Sequence, residues 1–266
     1  MLRRPVRSRA VRAFRNCLIG VAICGAIFVS VAGPAIAQDA ASTAAGTTQT
    51  VATSTISGRQ IVKQGEPGKF EFYVLALSWS PTYCEASRER GNRRSDPQCT
   101  TRPYAFVVHG LWPQYEQGFP SNCQVPAPRL PRTIAESMLD LMPNPRLVFH
   151  EWDRHGTCTG LTGGQYFDTV RKARAAVTIP IEYQSLDAPL MVKPGDVAAA
   201  FIRANPGLPR DALQVACDGK RLEGVRICMG KDLAFRECAE VARRSCRADK
   251  VVMPPMRGPR AADSAN

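Results

Sequence analysis

The chain has 266 residues with 35 Lys or Arg, 23 Asp or Glu and three His, a formal net charge of +12 at pH 7. Such a charge steers polyanions toward a surface but identifies no substrate. No internal repeat and no Asn-x-Ser/Thr acceptor occurs, so a repeat architecture is excluded and nothing demands a glycosylating pathway.

In chain order, arginines at positions 3, 4, 7, 9, 12 and 15 precede an uncharged, mostly apolar stretch from Cys17 to Val31 and then Ala35-Ile36-Ala37. A basic region, a short apolar region and a small-residue cleavage site predict a secretory signal peptide over 1–37, cut after Ala37; the apolar part is shorter than the roughly 20 residues a membrane span needs. The alternative is an uncleaved anchor. Removing this segment takes six of the 35 basic residues and no acid, leaving a net charge of about +6. It also takes Cys17 and Cys24, leaving eight of ten cysteines. An even number in an exported chain reads as a disulfide framework in an oxidising compartment, here periplasmic or secreted.

Residues 38–66, rich in Ala, Thr, Ser and Gln, bury too little apolar surface to offset chain entropy and read as a flexible linker. Residues 67–252 are enough for one domain with its own core. Residues 253–266, with Pro254, Pro255 and Pro259, read as a flexible tail.

Within the domain, Phe70 to Trp79 alternates two largely apolar sets, which predicts a strand buried on both faces. Tyr104 to Leu111 predicts a second central strand ending at Gly110. Arg210 to Cys217, the turn Asp218-Gly219-Lys220, and Arg221 to Met229 predict a hairpin. Helices are expected at 132–142, 151–158, 163–176 and 195–204. The elements show no regular βαβ rhythm, so the class is α+β.

All three histidines fall in two segments, Phe106 to Pro113 around His109 and Phe149 to Cys158 around His150 and His155. With an ordinary pKa of about 6.5, histidine moves protons near neutral pH without special tuning. His109 at the end of a buried strand, beside Gly110, would be held on a rigid element. Glu151 and His155 are four apart, as are His150 and Arg154, so one helical turn would display two imidazoles, a carboxylate and a guanidinium. His150-Glu151 followed by His155 also approaches the zinc pattern His-Glu-x-x-His, but with one residue too many: ligands four apart share a helical face, and five apart do not. A zinc-dependent phosphodiesterase would further need a third ligand that the sequence does not offer.

His109-Gly110-Leu111-Trp112-Pro113 and His150-Glu151-Trp152, continuing to Arg154-His155-Gly156-Thr157-Cys158, resemble the two active-site segments of the ribonuclease T2 family, and Leu75 to Cys84 resembles the first core strand of its bacterial members. The resemblance covers roughly residues 69 to 230. It implies a single α+β domain with a central, mainly antiparallel sheet flanked by helices. It also implies endonucleolytic cleavage of single-stranded RNA, with low base specificity, through a 2′,3′-cyclic phosphate. No metal, no cofactor and no DNA partner are expected; nor is membrane attachment once the signal is removed, and a monomer is the default.

By the same resemblance His109 and His155 form the acid and base pair, either in either role. His150 binds phosphate, and Glu151 and Arg154 stabilise the transition state. Arg154 stands where the family commonly has lysine, exchanging a compact ammonium for a planar fork. Gln114 stands where some members carry a base-recognising aspartate, so base preference does not carry over. Trp112 either stacks on a base, with Tyr115 or Phe119 flanking it, or packs in the core; Trp152 reads as core. A non-catalytic RNA-binding member of the same fold is the alternative, favoured if His109 or His155 were absent; both are present.

Eight cysteines permit 105 pairings. The resemblance suggests Cys123 with Cys158. Cys217 and Cys228 flank the proposed hairpin and are expected to pair across it, which leaves Cys84 with Cys99 and Cys238 with Cys246.

Overall fold

A computed structural model describes residues 62–91 and 96–257. The signal peptide, most of the linker and the end of the tail lie outside the described residues.

The chain enters through a short strand β1 (Val62–Gln64) and then β2 (Phe72–Trp79), whose predicted burial on both faces is observed. Helix α1 (Ser80–Glu89) follows at once, with Pro81 in its first turn, where a missing N–H costs no hydrogen bond. After the short α2 (Pro97–Thr100) come β3 (Phe106–Gln114), β4 (Phe119–Ser121) and α3 (Arg132–Ser137). Helix α4 (Pro145–Arg154) is started by Asn144, whose side chain accepts from the Arg146 N–H at 2.9 Å, with Pro145 in the first turn. Helix α5 (Gly163–Ala175) opens with a reciprocal capping box between Thr162 and Gln165. Then follow β5 (Leu190–Val192), α6 (Pro194–Ala204), β6 (Leu213–Cys217), β7 (Leu222–Met229), α7 (Ala239–Ala242) and β8 (Val251–Met253).

The organising element is a four-stranded antiparallel sheet of order β3-β2-β7-β6. The Asp218-Gly219 turn joins β6 to β7 as the hairpin requires, with Gly219 at φ 90°. Side chains alternate across the sheet, so Tyr73, Leu75, Leu77 and Trp79 of β2 and Val225, Ile227 and Met229 of β7 share one face. That face packs on Trp152 of α4, Tyr166 and Val170 of α5, and Val197 and Phe201 of α6, forming the main core. The buried Tyr166 hydroxyl donates to the Leu111 carbonyl at 3.0 Å, which fixes β3 to α5 beside Gly110. The opposite face carries a small cluster of Phe72, Val74, Cys228, Cys238 and Val241, with Trp112 packed against it.

Several expectations are corrected. Strand β3 continues past Gly110 to Gln114 and lies at the sheet edge, where Pro113 is tolerated because one side of the strand needs no ladder donor. The helix expected over 132–142 ends at Ser137 and continues as turns. The one expected from 151 begins at Pro145 and stops at Arg154, and Gly156–Cys158 is a separate 3₁₀ turn. The first part of the tail expected to be flexible over 253–266 is held in place: Met253 is buried in β8, the Trp79 indole N–H donates to the Pro254 carbonyl at 3.0 Å, and the Met256 N–H donates to the Leu186 carbonyl.

Cys84–Cys99 and Cys123–Cys158 are bonded as expected, but the other four cysteines pair as Cys217–Cys246 and Cys228–Cys238. The hairpin register explains this. Cys217 sits opposite Leu222 beside the turn, whereas Cys228 lies at the far end of β7, opposite Val74. Six residues of strand separate Leu222 from Cys228, about 20 Å at 3.3 Å per residue, far beyond the reach of a disulfide.

Candidate active site

The site begins with a register shift. Ala76 pairs with Gly110 but Leu77 pairs with Val108, so His109 is an extra, unpaired residue in β3. A bulge of this kind re-aims the side chain it carries. Nδ1 of His109 lies 3.3 Å from the Ser78 hydroxyl, and Nε2 lies 3.6 Å from Oε1 of Glu151. Gly110 is needed for a steric reason. A Cβ there would overlap the Glu151 carboxylate and come within 2.7 Å of the Trp112 indole nitrogen. With no side chain in the way, the Trp112 N–H donates to Oε2 of Glu151 at 2.8 Å.

The second half comes from the end of α4. His155 is the residue after the last helical one, with φ −121°, and its N–H still bonds to the Glu151 carbonyl at 3.0 Å. Leaving the helix there removes the angular restriction that would separate residues five apart, so His150 and His155 line the same pocket. The bend is braced on its outer side, where the Asn122 N–H donates to the Arg154 carbonyl at 2.9 Å and Cys123 is bonded to Cys158.

Trp112 stands between the two histidines. Its ring is 5.7 Å from that of His109 at 79° and 5.4 Å from that of His155 at 32°, and Phe119 lies 6.1 Å from His155. The resulting pocket, of about 220 Å³, is lined by His109, Trp112, Gln114, Phe119, His150, Glu151, Arg154, His155 and Arg226. The six residues expected to act on the substrate, His109, Trp112, His150, Glu151, Arg154 and His155, therefore line one pocket. Trp112 is half-buried with its ring on the pocket, whereas Trp152 is a core residue whose indole N–H donates to the Pro128 carbonyl at 2.6 Å. Tyr115 does not line this pocket, and Gln114 is buried with its amide N–H turned back to the Pro113 carbonyl at 3.1 Å.

Electrostatics are set by burial. Glu151 is 1% exposed and its carboxyl is pushed up to about 8 by desolvation, against the opposing pull of the Trp112 N–H and Arg154. His155 is moved the other way, to about 3, by burial first and then by Arg154, His150 and His109; its Nδ1 is buried with no hydrogen-bond partner. His109 is also lowered, by desolvation, Arg226 and His150. Its side chain keeps 43% of its surface open, so the shift has the same sign as that of His155 but a weaker cause. Burial thus favours neutral imidazoles at His109 and His155 and an un-ionised carboxyl at Glu151, under the field of Arg154 and Arg226.

Two participants escaped the sequence reading. Ser78, on β2, is placed by strand pairing alone. Arg226 offered a signal, as a charged residue in the otherwise apolar run Val225 to Met229 of a central strand, where an unpaired charge is rarely tolerated.

The chain matches the model of the Ribonuclease T2 family over residues 70–238. Similar curated proteins include a ribonuclease of Aeromonas hydrophila, 41% identical over 99 residues, which are 37% of this chain and 42% of that protein. A probable ribonuclease of Haemophilus influenzae is 32% identical over 136 residues, 47% of this chain and 50% of that protein. Ribonuclease DdI of Dictyostelium discoideum is 26% identical over 216 residues, 74% and 90% of the two chains. The chain thus spans about half the length of the first two relatives. Among solved structures, the RNase-related protein from Calystegia sepium superposes with a TM-score of 0.57 at 21% identity, covering 71% of this chain and 98% of that one. Trichomaglin, described as an S-like ribonuclease, does so with 0.57 at 22% identity, covering 71% and 100%. At these identities the structures establish the fold, an antiparallel sheet with flanking helices. Matched over more than half of its length, and carrying both histidine segments in one pocket of that fold, the chain belongs to the ribonuclease T2 family.

Proposed function

We propose that the protein is an exported, metal-independent endoribonuclease that cleaves single-stranded RNA with low base specificity through a 2′,3′-cyclic phosphate, its catalytic domain being the expected 67–252 extended by β1 and by the packed chain to Met256. The observation that carries this reading is the convergence of His109 and His155 on the two sides of Trp112, with His150 and Arg154 on the same pocket. One imidazole takes the proton of the ribose 2′-hydroxyl as the 2′-oxygen attacks phosphorus. The P–O5′ bond breaks, and the other imidazole protonates the departing 5′-oxygen. Arg154 and His150 face the charge that accumulates on the phosphoryl oxygens, the role a bound cation would otherwise fill.

The surroundings of the two histidines favour one assignment of roles. His155 is kept neutral and able to accept a proton by burial first and then by Arg154, His150 and His109. His109 is the more open of the two, with 43% of its side chain exposed, and lies 3.6 Å from Oε1 of Glu151, so that ionisation of that carboxyl would favour the protonated imidazole. His155 is accordingly the base and His109 the acid. Low base specificity agrees with a pocket whose walls for a base are the rings of Trp112 and Phe119, while the Gln114 amide is occupied by backbone. Export agrees with the basic and apolar N-terminal pattern and with four disulfides, which persist in oxidising compartments.

The test is digestion of a mixed RNA by the purified chain in EDTA, beside a His155→Ala variant, with mass analysis of the ends. Products ending in 2′,3′-cyclic phosphate, lost in the variant, are expected. Activity abolished by EDTA would overturn metal independence, and no cleavage in either condition would favour a non-catalytic RNA-binding member of the fold.

A further inference from the structure

The sheet face turned away from the main core is paved at its centre with small residues. Ala216, Gly224 and Ser78 are cross-strand neighbours in one row, and Gln214, Arg226, Ala76 and Gly110 form the next. Such short side chains leave the pleat uncovered, and a trough of about 310 Å³ lies over it, close to the lower end of ordinary ligand pockets, roughly 300–1,000 Å³. Its walls are α1, through Thr82 and Tyr83, with Arg90 just past its end, and the hairpin, through Asp218 and Glu223. Arg221 clamps these walls together by ion pairs to Glu89 of α1 at 2.7 Å and to Asp218 at 2.9 Å.

The trough and the histidine pocket meet at three residues they share, His109, Trp112 and Arg226. Arg226 is the cation at this junction. Its guanidinium lies over the Trp112 ring at 5.1 Å and donates to the Gln214 side-chain oxygen at 3.2 Å, and among the described residues no carboxylate forms an ion pair with it. Of the two acids nearby, Asp218 is engaged by Arg221 and by the backbone N–H groups of Lys220 and Arg221, and Glu223 is exposed at the rim. A half-buried guanidinium held on a rigid strand, with no carboxylate in ion-pair contact and only the exposed Glu223 attracting it from farther off, gains when a ligand supplies negative charge. Tyr83 offers a firm aromatic surface on the opposite wall, since its hydroxyl is fixed to Asp96 at 2.6 Å while 37% of the residue stays exposed.

We propose that Arg226 binds the phosphodiester group neighbouring the one being cleaved, and that the trough holds the nucleoside attached to it against Tyr83. The inference rests on the ribonuclease reading and extends it, since it makes RNA length a determinant of recognition. A dinucleoside monophosphate fills the histidine pocket but leaves the trough without its phosphate; a trinucleotide occupies both.

The test is equilibrium binding of 2′-deoxy-2′-fluoro UpU and UpUpU, which have no 2′-hydroxyl to attack, to the wild-type chain and to the Arg226→Met, Arg226→Lys and Tyr83→Ala variants. The wild type is expected to bind the trimer at least tenfold more tightly than the dimer. Its salt slope for the trimer should be steeper by about 0.7, the increment for one phosphate contact on a single strand. Arg226→Met should erase the tenfold advantage and the extra slope, Arg226→Lys should keep the slope, and Tyr83→Ala should weaken trimer binding several-fold more than dimer binding. If the wild type binds both lengths alike, or if the Arg226 variants weaken both equally, the proposal is overturned. Should Arg226→Met fail to fold, Arg226→Lys and Tyr83→Ala carry the same comparison. Length-dependent binding with no cleavage of ordinary RNA would leave this inference standing and remove the ribonuclease reading instead.

Discussion

His155 is held neutral by burial and by its cationic neighbours, and this has a kinetic signature. A base must be unprotonated and an acid protonated, so kcat/KM rises through the pKa of the first and falls through that of the second. Both histidines are displaced downward from 6.5, so the profile for a dinucleoside substrate is expected to peak on the acid side of 6.5. Arg154 is the largest cause after burial for His155. Arg154→Gln should therefore move the acidic limb to higher pH while lowering kcat/KM roughly 10–100-fold through loss of charge stabilisation. A limb that stays in place would show that Arg154 does not govern the His155 equilibrium.

Glu151 gives the converse prediction for stability. Its folded-state value, about 8, lies above its ordinary value of 4.5, so its contribution is fully present below about pH 4.5 and is lost as pH rises through 8. Glutamine keeps an oxygen for the Trp112 N–H but cannot ionise. Urea unfolding of Glu151→Gln should therefore show a stability gain over wild type that grows between pH 5 and pH 9 by at least ~1 kcal/mol, the worth of less than one pKa unit. The lowered histidines act with the opposite sign: their contribution is present above 6.5 and is lost as pH falls, equally in both proteins, so it cancels in the comparison. A difference independent of pH would mean that Glu151 ionises as an ordinary carboxylate.

At the level of elements, the bulge in β3 and the truncated end of α4 do the positioning. Gly110→Ala puts a methyl group into the Glu151 carboxylate and against the Trp112 indole, so one of them must move. A loss of at least a hundredfold in kcat/KM is expected, with about 1–3 kcal/mol of destabilisation as overpacking; unchanged kinetics would show that the close approach of Glu151 is dispensable. These same features explain what could be read in advance. The hairpin was legible because Asp218-Gly219 dictates a turn, and β2 because both of its alternating sets are apolar. The end of β3 was not, since a bulge leaves composition unchanged and alters only pairing. Helix α4 carried its start signal in Asn144-Pro145, ahead of the histidine segment on which the expected helix was centred. Helix α1 had little signal: Ser80, Thr82, Tyr83 and Cys84 are mediocre helix formers without apolar periodicity, and the helix is set by packing on the sheet.

For the molecule as a whole, the cysteines were countable but only partly pairable, because pairing depends on register and on where the chain returns. Their consequences differ by place. Cys123–Cys158 closes 35 residues and Cys217–Cys246 closes 29, so the chain-entropy description gives each bond about 4 kcal/mol, nearly the same. Only the first is anchored three residues from His155, on the bend that carries it out of the helix. Replacing both cysteines of each pair by serine should therefore lower the melting temperature to a similar extent while separating the kinetics. Assayed on a dinucleoside substrate well below both melting transitions, Cys123→Ser with Cys158→Ser should lose at least tenfold in kcat/KM, whereas Cys217→Ser with Cys246→Ser should stay within about twofold of wild type. Equal kinetic losses would mean that the pocket depends on the stability of the whole domain and not on the local brace. Equal retention would mean that the Asn122 bond to the Arg154 carbonyl suffices to hold the bend.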